Sequence, residues 1–192
     1  MQVIQKLLLV ATVLLFSGCS VTGGTRPNES IEIKEASDSY SFSVPVSRLT
    51  MTLPKSNWSP KVNSIGGGTN NPRYFYFKDK KEASLLLSGW FEPDRLFTGV
   101  RNHWEKDRQS WVKSGVPEPI NVSFEKLGGW DTVMYDHNLS NIVSSHLRAH
   151  WVQSGTWIDL HLSTTTYSSS AENRNKLKSL LGGISISEKG GG

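Results

Sequence analysis

Three imidazoles and a carboxylate lie close together near the C-terminal third of the chain: His146, His150, Asp159 and His161, in SSHLRAHWVQ (144–153) and TWIDLHLST (156–164). Three histidines with one aspartate make a donor set suited to zinc or copper. His146-x-x-x-His150 would be a ligand pair on a helix, but both runs alternate in the manner of strands, where i and i+4 stand roughly 13 Å apart. A metal centre is therefore left with His150, Asp159 and His161. The plainer expectation is a polar sheet face with a cross-strand His150–Asp159 pair and Arg148 beside His161.

The elements that would position these groups can be read from the same residues. With Ser154-Gly155 as a two-residue turn, one hairpin face pairs Leu147 with Leu162, Ala149 with Leu160 and Trp151 with Ile158. The other pairs Arg148 with His161, His150 with Asp159 and Val152 with Trp157. A slip of one residue would destroy that sorting, so the register is strongly specified.

The one cysteine of the chain, Cys19, stands directly after an apolar run, in LLFSGCS (14–20). Leu7 to Phe16 is about ten residues long, too short to span a bilayer that needs roughly 20. It has the length of a signal-peptide core, preceded by Lys6 and followed by small residues. Phe16-Ser17-Gly18-Cys19 resembles the bacterial lipobox, with Phe16 where leucine is commonest. The resemblance implies diacylation of Cys19 (the palmitate-type modification of lipoproteins), removal of residues 1–18, and a membrane attachment through the N-terminal lipid. Ser20 after the cysteine implies sorting to the periplasmic face of the outer membrane. Two or more acyl chains hold stably where one is marginal. Residues 19–39 then read as the lipidated cysteine and a polar, flexible tether with a reach of roughly 25 Å.

The rest of the chain is one domain's worth, 40–187, with 188–192 as a frayed tail. A formal charge of +4 on 192 residues, evenly spread, offers no nucleic-acid footprint. Seven tryptophans are expected to fill the core, with Trp58, Trp90 and Trp157 as candidates for an exposed aromatic surface.

Short strand patterns dominate: 40–44, 49–53, 73–77, 83–91, 120–127, 130–137 and 184–187 besides the hairpin above. Residues 73–77 and 83–91 are apolar on both faces, which predicts a sheet covered on both sides. Asp94 is the expected cap of a helix carrying Phe97, Val100, Trp104 and Trp111. Ser169-x-x-Glu172 predicts a capping box for a second helix ending at Gly182. Residues 63–72 read as a loop. Gly66-Gly67-Gly68-Thr69 within it lacks the lysine of a phosphate-binding loop.

The fold class is therefore α+β, an antiparallel sheet with helices packed on it. The element order, with a strand leading into Leu53-Pro54-Lys55-Ser56-Asn57-Trp58, resembles the PsbP-like fold, whose members mostly bind or assemble other proteins. No nucleophile elbow or H-E-x-x-H motif occurs, and no cofactor is expected. The expected function is that of a non-catalytic envelope lipoprotein that binds or helps assemble an envelope protein complex. The alternatives are a small-ligand or metal-binding protein using His150, Asp159 and His161, and a hydrolase with no site identified.

Overall fold

The computed structural model describes residues 30–55, 58–60, 73–139, 141–167 and 169–189. Cys19, the signal-like segment and the glycine-rich loop at 66–69 lie outside the described residues.

The strands are β1 (Glu32–Glu35), β2 (Ser39–Ser43), β3 (Leu49–Pro54), β4 (Trp58–Pro60), β5 (Tyr74–Asp79), β6 (Leu86–Pro93), β7 (Ile120–Leu127), β8 (Trp130–Leu139), β9 (Ile142–Gln153), β10 (Thr156–Thr166) and β11 (Ser185–Glu188). The helices are α1 (Val100–Lys113) and α2 (Ser170–Gly182). A seven-stranded sheet runs β4-β5-β6-β10-β9-β8-β7, and a four-stranded sheet runs β1-β2-β3-β11. Every strand pairing in both is antiparallel. The α+β class with helices packed on antiparallel sheet is what the molecule has.

The long hairpin forms in the expected register, Leu147 opposite Leu162 and His150 opposite Asp159. Its turn places Ser154 at φ 50° and Gly155 at φ 76°, the left-handed pair that matches the twist of the flanking strands. The turn from β7 to β8 repeats the device with Gly128 at φ 55° and Gly129 at φ 94°.

Each face of the large sheet has its own cover. One face packs Phe75, Phe77, Leu87, Phe91, Met134, Leu147, Ile158, Leu160 and Leu162 against the small sheet (Phe42, Leu49, Met51) and against Leu177 and Leu181 of α2. This is the main core, and each large side chain removed from water there contributes about 1.5–3 kcal/mol. The second face packs Val133, Tyr135 and Phe124 against Trp104 and Trp111 of α1.

Four expectations are corrected. Glu32–Glu35 is not tether but strand β1, paired with β2, and Ile31 is buried in the core, so the folded domain begins before residue 40. Glu188 belongs to β11 rather than to a tail, and the Lys189 amide donates to the Arg48 carbonyl. Asp94 does not cap α1: it opens a short 3-10 turn (Asp94–Leu96), and the helix begins after Gly99 with no side-chain cap. Trp58 and Trp157 are not exposed, at 2% and 5% accessibility, because each is covered by packing from outside its own strand. The Ser169 cap, by contrast, is as expected: its side chain accepts from the Glu172 amide.

Candidate functional site

Alternation along β8, β9 and β10 puts Val133, Tyr135 and His137, then His146, Arg148 and His150, then Trp157, Asp159 and His161 on one face of the large sheet. Sequence reading expected the His150–Asp159 side of the hairpin to be polar. It is polar, but it is also covered, because α1 lies over it. His146, His150 and Asp159 are all buried.

The covering stripe of α1 is Val100, His103, Trp104, Asp107 and Trp111, spaced at three and four residues as one helix face requires. Trp104 and Trp111 were legible as part of that stripe. His103 and Asp107 sit in it too; sequence reading missed both, although their positions i+3 and i+7 from Val100 carry the signal.

At the centre stands Arg148. Its Nε donates to Asp159 Oδ1 at 3.0 Å and its Nη2 to Asp159 Oδ2 at 2.7 Å. Its Nη1 donates across the layer to Asp107 Oδ2 on α1. A planar guanidinium suits this task because it can grip one carboxylate with two parallel bonds and still reach a second. Burial pushes the Asp159 carboxyl up, but the Arg148 charge, the Arg148 hydrogen bonds and the neighbouring His150 and His103 together outweigh it and hold the group at about 2.

On one side of Arg148 is an aromatic cluster. The Trp157 indole N–H donates to His150 Nδ1 at 3.2 Å, and Phe97 stacks on His103 with centroids 5.6 Å apart. His103 in turn lies 4.5 Å from Trp157. Burial lowers His150 to about 4, more than the nearby Asp159 charge can offset. His103 is lowered by burial as well.

On the other side, His146 Nδ1 and His161 Nε2 share a hydrogen bond of 3.1 Å, and His146 Nε2 bonds Ser144 Oγ at 3.0 Å. Tyr135 lies flat on His146, 4.8 Å away and 6° from parallel. Burial brings His161 down to about 3, and Arg148 adds to the effect. Burial also holds His146 well below the ordinary imidazole range, and it lowers His137 against the pull of the Pro117 carbonyl and Asp136.

The trio of His150, Asp159 and His161 is thus split. His150 Nδ1 is 3.5 Å from Asp159 Oδ1, but both carboxylate oxygens are taken by Arg148, and His161 turns to His146. Among the described residues no group of three or more His, Cys, Asp or Glu is placed to hold a metal ion. The spacing of His146 and His150 explains part of this: β9 pairs with β10 without a bulge, so the two rings stay a full four residues apart on the strand. What the arrangement does chemically is engage its own charges, one guanidinium between two carboxylates. Every ionised group at its centre is spent on another.

No family model matches the chain, and no curated protein matches it in sequence. Among solved structures, the cyanobacterial PsbP (CyanoP) from Synechocystis sp. PCC 6803, determined in solution, is similar at 13% identity, covering 90% of this chain and 99% of that one, with a TM-score of 0.48. A crystal structure of a protein from Bacteroides thetaiotaomicron VPI-5482 is similar at 10% identity over 75% of this chain, with a TM-score of 0.41. The chain spans about half of that protein, 47% of its length. The fold class stands on the strand pairing described above.

Proposed function

We propose that this chain is a lipid-anchored lipoprotein of the cell envelope, held at the periplasmic face of the outer membrane, whose α+β domain binds or helps assemble an envelope protein complex without catalysing a reaction. The observation that carries this reading is the placement of the chain's one cysteine in LLFSGCS, at the end of an apolar run of signal-peptide length. A buried structural cysteine would sit within a packed pattern instead.

The buried cluster is consistent with a binding role. Its carboxylates are committed to Arg148 and its imidazoles to one another and to aromatic rings, which is the arrangement of a structural layer. A general base needs a group free to accept substrate's proton, and Asp159 has both oxygens engaged. The PsbP-like resemblance points the same way only by analogy.

The test compares the wild type with Cys19→Ala in a diderm host. Radiolabelled palmitate is expected to mark the wild type and not the variant, and only the wild type is expected to sediment with outer membranes. Crosslinking and affinity capture would then be expected to return a discrete envelope protein with the wild type. A variant that stays membrane-bound and unlabelled chains in both strains would overturn the anchor. Capture of no envelope protein by a correctly lipidated wild type would overturn the assembly role.

A further inference from the structure

The chain has five histidines, and all five belong to the layer between α1 and the large sheet. His103 comes from α1, His137 from β8, His146 and His150 from β9, and His161 from β10. Two hydrogen bonds there each need an unprotonated nitrogen as acceptor. The Trp157 N–H points at His150 Nδ1, so that nitrogen carries a lone pair and no proton. His146 Nδ1 and His161 Nε2 bond each other, so one of the two must be an acceptor. A proton added at either accepting nitrogen sets one N–H against another. His150 Nε2 is buried with no hydrogen-bond partner, so that end of a charged ring would have no acceptor.

The surrounding charges set how many protons the layer tolerates. Asp107 faces it from α1, the exposed Lys106 acts on His103 through space, Asp131 and Asp136 act from β8, Arg148 from β9 and Asp159 from β10. β5 and β6 add Tyr74, Tyr76, Ser88 and Trp90 to the same face, with Lys78 and Glu92 at its ends. At the centre, Arg148 is bracketed by Asp107 and Asp159, which leaves one negative charge in excess. A first proton is absorbed by that excess. Further protons put positive charge beside Arg148 and beside one another, with the His146 and His161 rings only 5.3 Å apart.

The weakest wall of the layer is α1. Its start at Gly99 has no side-chain cap, and its buried residues are Trp104, Asp107 and Trp111. The opposite face of the sheet is packed with groups that take up no proton. We propose that α1 is an acid-released cover: when the histidines beneath it are protonated, the helix lifts from the sheet while the small sheet and α2 stay packed on the other face.

The direction follows from linkage. In the open form the imidazoles titrate near 6.5, whereas in the closed form burial holds His150 at about 4 and His161 at about 3. Between those limits the open form binds more protons, so the closed form is fully stable above about pH 6.5 and loses stability as the pH falls below it. At about pH 5 each of these two histidines, taken singly, favours opening on the order of 30-fold. Asp159 keeps its charge until well below that window, being held at about 2.

The test is hydrogen–deuterium exchange by mass spectrometry on the whole chain between about pH 7.5 and pH 4.5, corrected for the intrinsic pH dependence of exchange. Peptides from Val100–Lys113 are expected to lose protection at least about tenfold by about pH 5, while peptides from Leu49–Pro54 and Ser170–Gly182 keep theirs. The double variant His146→Gln/His161→Gln is expected to move that transition down by on the order of half a pH unit or more. His103→Gln, a half-buried change on the helix itself, should move it the same way by less. It serves if the double variant does not fold. Asp107→Asn removes the excess negative charge and the tie to Arg148, so it should raise α1 exchange at every pH and move the midpoint up. Loss of protection in α1 and α2 together, no loss above about pH 4.5, or a midpoint unmoved by the histidine variants would overturn the proposal.

Discussion

The two faces of the seven-stranded sheet are built from the same strands and solve the problem of burial in opposite ways. One face buries Phe75, Phe77, Leu87, Leu147, Leu160 and Leu162 against apolar partners. The other holds five imidazole, carboxylate and guanidinium groups of β9 and β10 beneath α1, with His146, His150 and Asp159 buried and Arg148 and His161 half-buried. A strand's side chains alternate, so every second residue of β10 serves each face: Ile158, Leu160 and Leu162 on one, Trp157, Asp159 and His161 on the other. The apolar face depends on shape and volume. The polar face depends on charge balance and on hydrogen bonds that must all be made at once. The helices differ in the same sense, since α2 starts on its own Ser169 cap while α1 has no cap and is tied to the sheet through Asp107 and Arg148.

The largest break in this contrast is expected at Arg148. Arg148→Met leaves Asp107 and Asp159 buried without a counter-charge and should cost about 3–5 kcal/mol in chemical denaturation at neutral pH. Combining it with Asp107→Asn and Asp159→Asn should recover most of the loss. A triple variant no more stable than Arg148→Met would mean that the guanidinium serves by packing rather than by charge.

On the apolar face, Leu160→Ala should cost about 2–5 kcal/mol, and the loss should be the same at neutral and mildly acidic pH. That pH independence, set beside a pH-dependent Arg148 background, is the sharper half of the measurement. Gly89→Ala tests fit on the same side, because a Cβ there would stand 2.4 Å from the Asp159 carbonyl oxygen and 2.6 Å from the Phe75 ring. The expected cost is about 1–3 kcal/mol. Smallest of all, Ser169→Ala should remove about 1 kcal/mol by leaving the Glu172 amide without its acceptor. That change should raise exchange at the start of α2 and leave α1 untouched.

Several parts of this arrangement could be read along the chain. The hairpin register followed from the sorting of Leu147, Ala149 and Trp151 against Leu162, Leu160 and Ile158. The Ser169 cap followed from a serine three residues before a glutamate. RYFYF and ASLLLSGWF, apolar on both sides, gave the fully buried face of Phe75, Phe77, Leu87 and Phe91, whereas Tyr76, Leu86 and Trp90 on the other face are only half-buried. Other parts could not be read. Asp94 looked like a cap because it is an aspartate before an apolar stripe, yet the Asp94 amide is engaged by the Gly155 carbonyl at 3.1 Å and the chain turns there before the helix begins. Glu32–Glu35 reads as a charged linker, and charges are the usual guard of an edge strand.

Sequence by itself determined which residues share a side: alternation sets that in a strand, three-four spacing sets it in a helix, and neither needs a distant partner. It therefore placed His150 with Asp159 and Trp104 with Trp111. Only the tertiary structure decided that the polar side would be buried. That outcome rests on α1 crossing the sheet and on Asp107 meeting Arg148, a contact between residues 41 positions apart. Burial is a property of what packs on a face rather than of the residues in it. The same burial turns an ordinary row of histidines into neutral, proton-resisting groups.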